Sequence, residues 1–394
     1  MRFSIKNIDN VNLLNILHVL NDGFIVSLPL LLPFIKEDLH LDLIQIGFLG
    51  SVLNLLGIFL ALPAGIIATK LGGLRSLTWA IGLYSLGFIA TSISPNYWFV
   101  VIAFLIAGTG FGIFHPIAFA SVAKWAQKER LGKAMGNFTA IGDLGRVGVS
   151  AGVTFFASYI GWRLTSGIYG AVALGIFALL ITFSQKDNVK VKQSDEKSVS
   201  LLYFLKHKSF LTVSLTGFLD SFASSSLFVF IPFLLLSKGV NPAILGTFTG
   251  FFFIGNFLGK SLLGRFVDKF GNTKVFITAE FFMAVNIILF ALSQNWIAII
   301  IIAVILGALT KGTVPVIQTM LAEATEKEHS YEKVFALNSL IVGIATASAP
   351  LIFGIIANKF GVIHVFSVSA CFALLAIITA IIARRTFDSK SKKL

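Results

Sequence analysis

Cysteine and charge are the two things this 394-residue sequence has least of. There is one cysteine, Cys371, and only 12% of residues are Asp, Glu, Lys or Arg, about half the share found in soluble domains. A single thiol excludes an internal disulfide and any metal cluster built on thiolates. Scarce charge, 56% hydrophobic residues, 40 phenylalanines and a mean hydropathy of +0.89 exclude a soluble globular protein, a disordered chain and a nucleic-acid binder. Also missing are G-x-x-x-x-G-K-(S/T), H-E-x-x-H and G-x-S-x-G, so no enzyme, cofactor or metal centre is expected. The first apolar stretch is interrupted by Asn15, His18, Asn21 and Asp22 and has no A-x-A-like site after it. It reads as a span rather than a cleaved signal. What is left is a polytopic membrane protein.

A bilayer core about 30 Å thick takes about 20 apolar residues of helix. On that ruler the sequence predicts an all-α membrane protein of twelve spans. They cover 11–34, 45–68, 76–94, 97–120, 136–159, 163–184, 209–236, 243–264, 275–293, 296–321, 335–357 and 361–383. With the amino terminus inside, the cytoplasmic segments hold 24 Lys and Arg and the outer loops hold four, namely Lys36, Arg163, Lys238 and Lys359. That bias predicts two cytoplasmic termini in a cell (inner) membrane and accounts for the net charge of +13.

The polar stretch 185–208 divides the chain into a half at 1–184 and a half at 209–394 that ends in a basic tail. A shift of 199 residues carries Pro33 onto Pro232, Gly47 onto Gly246, Gly65 onto Gly264, Lys70 onto Lys269 and Gly72 onto Gly271. It also carries Asn96 onto Asn295, Gly108 onto Gly307 and Pro116 onto Pro315. Asp22 and Asp220 pair one residue off that register. Two pseudo-symmetric six-helix halves are the plan of a rocker-type secondary transporter, with its site near mid-membrane.

Polar residues inside spans are costly and usually line a bundle interior. Asn15, His18 and Asp22 fall at i, i+3 and i+7, on one helical face with Asn21 beside them. An isolated carboxylate at that depth favours its neutral form, so Asp22 is the first candidate for proton coupling, with His18. In span 5 Asp143 and Arg146 are three apart and able to touch. The guanidinium needs an anion, and the nearest candidate along the chain is Asp143. The glycines Gly142, Gly145, Gly148 and Gly152 around this pair are expected to permit close helix approach. His115 before Pro116, Asp220 among serines, and Lys311 complete the candidate cavity set with Asn15, Asn21 and Arg146. Glu280 and Lys260 are expected to snorkel toward the inner surface.

The run Gly264-Arg-Phe-Val-Asp268-Lys269-Phe-Gly271-Asn-Thr-Lys274 resembles the Gly-x-x-x-Asp-(Arg/Lys)-x-Gly-x-x-(Arg/Lys) loop of the major facilitator superfamily. Its first-half counterpart is Gly65-Ile-Ile-Ala-Thr69-Lys70-Leu-Gly72-Gly-Leu-Arg75, with Thr69 in place of the acid. His18-Val-Leu-Asn21-Asp22 and Phe114-His115-Pro116 resemble the fosmidomycin-resistance group of efflux proteins. The resemblance implies the major facilitator fold and a conformational latch at these loops, in which Asp268 caps a neighbouring helix and pairs with basic residues. The antiporter signature of span 5 is not met: Gly136 and Gly145 have its first spacing, and no Gly-Pro follows.

The expected function is proton-coupled export of a small polar or amphiphilic compound by alternating access, a drug-resistance type of antiport. Arg146 and Lys311 point to an anionic or zwitterionic substrate. Proton-coupled import of an organic anion uses the same residues, and a membrane scaffold is the remote alternative. The expected partners are a small molecule, protons and the bilayer, with no nucleic acid, for a monomer.

Overall fold

In a bilayer the backbone has no water to bond, so an apolar chain closes its hydrogen bonds within helices. The computed structural model, which describes residues 10–125, 131–183, 204–324 and 331–391, is helical throughout, with no strand among the described residues. The helices are α1 (Asn10–Asp38), α2 (Leu43–Leu71), α3 (Gly73–Ser92), α4 (Tyr97–Trp125), α5 (Leu131–Ile160) and α6 (Trp162–Phe183). They continue with α7 (Lys208–Ser225), α8 (Leu227–Ser237), α9 (Leu245–Phe270), α10 (Asn272–Leu292), α11 (Trp296–Ala324), α12 (Tyr331–Phe360) and α13 (Val362–Ser391). Ten helical stretches among the described residues are long and apolar enough to cross a membrane, with α7 and α8 counted as one. The two that fall short are α3, with its Ser and Thr residues, and α5, which carries Lys133, Asp143, Arg146 and six glycines.

Short local signals set the helix ends. Asp42 caps α2 by a reciprocal pair: Gln45 N donates to Asp42 Oδ1 (2.7 Å) and Asp42 N to Gln45 Oε1 (2.9 Å). Gly72 (φ 91°) turns the chain between α2 and α3, and Gly271 (φ 81°) does so between α9 and α10. A side chain resists that left-handed backbone, so glycine is required there.

The helices fall into two compact units: α1–α6 with Gly239–Gly250, and α7–α8 with the chain from Phe251 onward. In the first unit α1 packs along α5, and α3 lies between α4 and α6. In the second, α7 packs against α12 and α13, and α10 against α11 and α13, over a core that includes Phe204, Phe210, Phe276 and Met320. The 199-residue shift also relates contacts within each unit. Asn96 Oδ1 accepts from Phe99 N (3.2 Å) to open α4, as Asn295 Oδ1 accepts from Ala298 N (3.0 Å) to open α11. Gly108 lies against the Leu53 carbonyl, and Gly307 against that of Phe252. Large apolar side chains such as Phe59, Trp98 and Ile297 are exposed on the outside. A lipid-facing surface has that composition.

Candidate transport site

The first unit holds a buried polar cluster built by α1, α3, α4 and α5. On α1 the helical spacing puts His18 and Asp22 on one face, with His18 Nε2 3.6 Å from Asp22 Oδ1. Neighbouring Asn21 donates from Nδ2 to Asp22 Oδ1 (2.9 Å) and accepts from the Tyr84 hydroxyl of α3 (3.1 Å). From α5, Arg146 Nη2 reaches Asp22 Oδ2 at 2.8 Å, while Nη1 lies 3.4 Å from Asp143 Oδ1. From α4, His115 Nε2 is 3.7 Å from Asp22 Oδ1. Asp143 and Asp22 are buried, whereas the side chains of Arg146 and His115 keep 18% and 27% of their exposure. The two basic groups are therefore the accessible part of the cluster.

Arg146 reaches Asp22 because α1 and α5 approach closely. A Cβ on Gly145 would collide with the Val19 carbonyl, and one on Gly142 would sit 2.5 Å from Asp22 Oδ2 and 2.7 Å from His18 Nε2. At these two positions the expected close approach is present. Gly148 has open space in place of a Cβ, and Gly152 has only ordinary contacts, so the expectation does not hold there. His18 is fixed by its other side: Nδ1 lies 2.8 Å from the Phe138 carbonyl, and its ring stacks on Phe138 at 4.1 Å. A carbonyl only accepts, so Nδ1 carries the hydrogen in this contact, while Nε2 faces Asp22.

His18, Asp22 and His115 offer three ligand atoms within 4.8 Å of one another. Both carboxylate oxygens already accept from Arg146 and Asn21, and a guanidinium at 2.8 Å opposes a cation. The set is better suited to an anion, which the Arg146 fork would bind in place of Asp22.

The second unit has its own buried polar cluster. Asp220 on α7 accepts from Thr313 Oγ1 of α11 (2.8 Å), meets the carboxyl of Glu280 from α10, and feels the charge of Lys311. Asp220 is 1% exposed and Glu280 is fully buried.

The family model described as Major Facilitator Superfamily matches residues 14–218 and 213–394. The chain belongs to the Major Facilitator Superfamily. It is thus a multi-span membrane protein of a transporter family, whose members handle small molecules rather than catalyse reactions. It is 24% identical over 372 residues to the multi-drug resistance efflux pump PmrA of Streptococcus pneumoniae, covering 88% of this chain and 90% of that one. It is 25% identical over 361 residues to the probable nitrate transporter NarT of Staphylococcus epidermidis, covering 89% and 90%. Among solved structures, a bacterial homolog of the human lysosomal transporter Spinster matches with a TM-score of 0.78 and 16% identity, over 96% of this chain and 97% of that one. That likeness concerns the fold.

Three sequence expectations need correcting. Asp22 is not an isolated acid: Arg146 binds it directly, because the α1–α5 packing brings them together. The shorter contact of Arg146 is to Asp22, not to Asp143 three residues before it. Glu280 does not snorkel, since it is enclosed beside Asp220. Tyr84, Phe138 and Thr313 were not anticipated. A tyrosine, a phenylalanine and a threonine in apolar helices carry no signal until their neighbours are known. The residues expected to form a latch lie toward helix ends: Gly65, Lys70, Gly72 and Arg75 around the α2–α3 turn, and Gly264, Asp268, Lys269, Gly271 and Lys274 around the α9–α10 turn. Lys70, Arg75, Asp268 and Lys269 are exposed.

Proposed function

We propose that this chain is a proton-coupled secondary transporter of a small compound with an anionic group, worked by alternating access. One observation carries the reading: Arg146 is held by Asp22 at 2.8 Å in a buried cluster, yet its side chain keeps 18% of its exposure. An anion that takes Arg146 leaves Asp22 buried without its cation. Such a state is costly unless the carboxylate gains a proton. Substrate charge and proton are thereby coupled through one side chain, with His18, Asn21 and Asp143 tuning it, His115 beside it, and Asn15 one turn before His18 on α1.

Export in exchange for protons is the first direction, a drug-resistance type of antiport in line with the resemblance to the fosmidomycin-resistance group. The efflux pump among the relatives supports it. The Asp22–Arg146 pair favours a second reading, proton-driven import, because releasing Arg146 to the anion and protonating Asp22 are one event. In both readings α3 and α5 cross the inner membrane with the ten apolar spans, giving twelve crossings in two six-helix halves joined by residues 185–208. Both termini are cytoplasmic, Asp220 and Lys311 contribute to the substrate path, and the protein works as a monomer. Asp268, with the loop glycines and basic residues, serves as the latch.

The test is reconstitution into liposomes containing a pH dye, with nitrate, sialic acid and a phosphonate supplied in turn. Internal acidification as external anion enters indicates import with protons. Acidification as preloaded anion leaves, driven by an inward proton gradient, indicates exchange. Anion accumulation with no pH change would remove proton coupling, and transport confined to cations would remove Arg146 as the substrate anchor.

A further inference from the structure

Glu280 presents an unusual arrangement. It is fully buried, and neither carboxyl oxygen meets a hydrogen-bond donor among the described residues. The group it faces is another acid, Asp220, within hydrogen-bonding reach. Asp220 receives one donor, Thr313 Oγ1 at 2.8 Å, and the charge of Lys311 acts on it. Among the described residues, Lys311 is the other charged group that acts on the pair.

Two ionised carboxylates cannot bond each other, because each only accepts. Buried side by side, they repel and leave Glu280 unsatisfied, a state costlier for a charged group than for a neutral one. A single proton removes both defects. It gives one acid an O–H to donate to the other, in a short charge-assisted bond. It also balances the cluster: Asp220, Glu280 and Lys311 sum to a formal −1 when both acids are ionised, and to zero with one proton.

We propose that Asp220 and Glu280 form a second proton-binding site inside the second unit, holding one proton between their carboxyl groups without need of substrate. Asp22, by contrast, is satisfied as an anion by Arg146 and Asn21 and gains a proton only when Arg146 is taken. The site itself does not depend on the transport reading. Its role in transport rests on that reading, as an additional proton moved per cycle.

Infrared difference spectroscopy of the purified protein, titrated in H2O and D2O in choline chloride, tests it without a substrate. The wild type should show a protonated-carboxyl C=O band at neutral pH that shifts in D2O. Glu280→Gln and Asp220→Asn should each lose that band while keeping the fold, because an amide N–H replaces the shared proton as donor. Asp22→Asn should keep it. A wild type with no such band, or a band unchanged in Glu280→Gln, overturns the proposal. A band abolished by sodium chloride also overturns it, since the pair would then hold a cation. In liposomes, Glu280→Gln should lower the number of protons moved per anion, and an unchanged ratio would remove the transport role. Absence of any substrate-linked pH change in the wild type would instead remove the coupling reading and leave the spectroscopic site standing.

Discussion

Neutralising Arg146 tests the first-unit cluster most directly. Arg146→Gln removes the cation between two buried carboxylates, at 2.8 Å from Asp22 and 3.4 Å from Asp143. At an effective dielectric of about 20 these contacts carry gross attractions of about 6 and about 5 kcal/mol. Most of that offsets the desolvation of the three groups, so the net loss on breaking the set is about 3–5 kcal/mol. For a unit of this size that lowers the melting temperature by on the order of 10 °C. Double variants then rank the partners. Asp22→Asn/Arg146→Gln should recover more stability than Asp143→Asn/Arg146→Gln, because only the Asp22 contact is short enough for a charge-assisted hydrogen bond. The expected difference in coupling is about 1 kcal/mol. Unfolding is followed by tryptophan fluorescence in detergent, since Cys371 is exposed and would react with a thiol dye in the folded state. In liposomes the Asp22→Asn/Arg146→Gln protein should fold and fail to move anions. Arg146→Lys should bind them more weakly, a point charge replacing a fork. Coupling to Asp143 equal to or above that to Asp22 would refute the geometry. Normal anion flux in the folded double variant would reduce Arg146 to a structural partner.

Gly145→Ala should destabilise by at least about 1–3 kcal/mol, because its Cβ meets the Val19 carbonyl, whereas Gly148→Ala should be near neutral; thermal unfolding compares them. Lys238→Met should cost about 1–2 kcal/mol in the same assay, since Lys238 Nζ donates to the Ala291 (2.7 Å) and Ser293 (2.5 Å) carbonyls at the end of α10. Asp268→Asn should slow transport with little change in affinity, and Thr69→Asp should shift the inward–outward balance. Labelling of single cysteines in a Cys371-free background reads that shift, and unchanged labelling in both variants would discard the latch.

Hydropathy and punctuation determined much of this protein by themselves. Each apolar run became helix because a chain in lipid must close its own hydrogen bonds. Gly72 and Gly271 became turns because only glycine takes that backbone cheaply. The shared face of His18 and Asp22 was legible for the same local reason, since a helix fixes residues four apart to one side. Tertiary structure decided who meets whom. Sequence spacing paired Arg146 with Asp143, but the rotation of α5 against α1, set by Gly142 and Gly145, gave Arg146 its shorter bond to Asp22. Tyr84 entered the network through α3, and Phe138 fixed the His18 ring through a backbone carbonyl that no residue type announces. Glu280 shows the same limit. At 1.5 Å per residue it lies about 12 Å into α10, deep enough to be buried. That it faces Asp220 rather than lipid depended on how α10 and α7 turn toward each other, an angle set by packing between helices and not written in either segment alone.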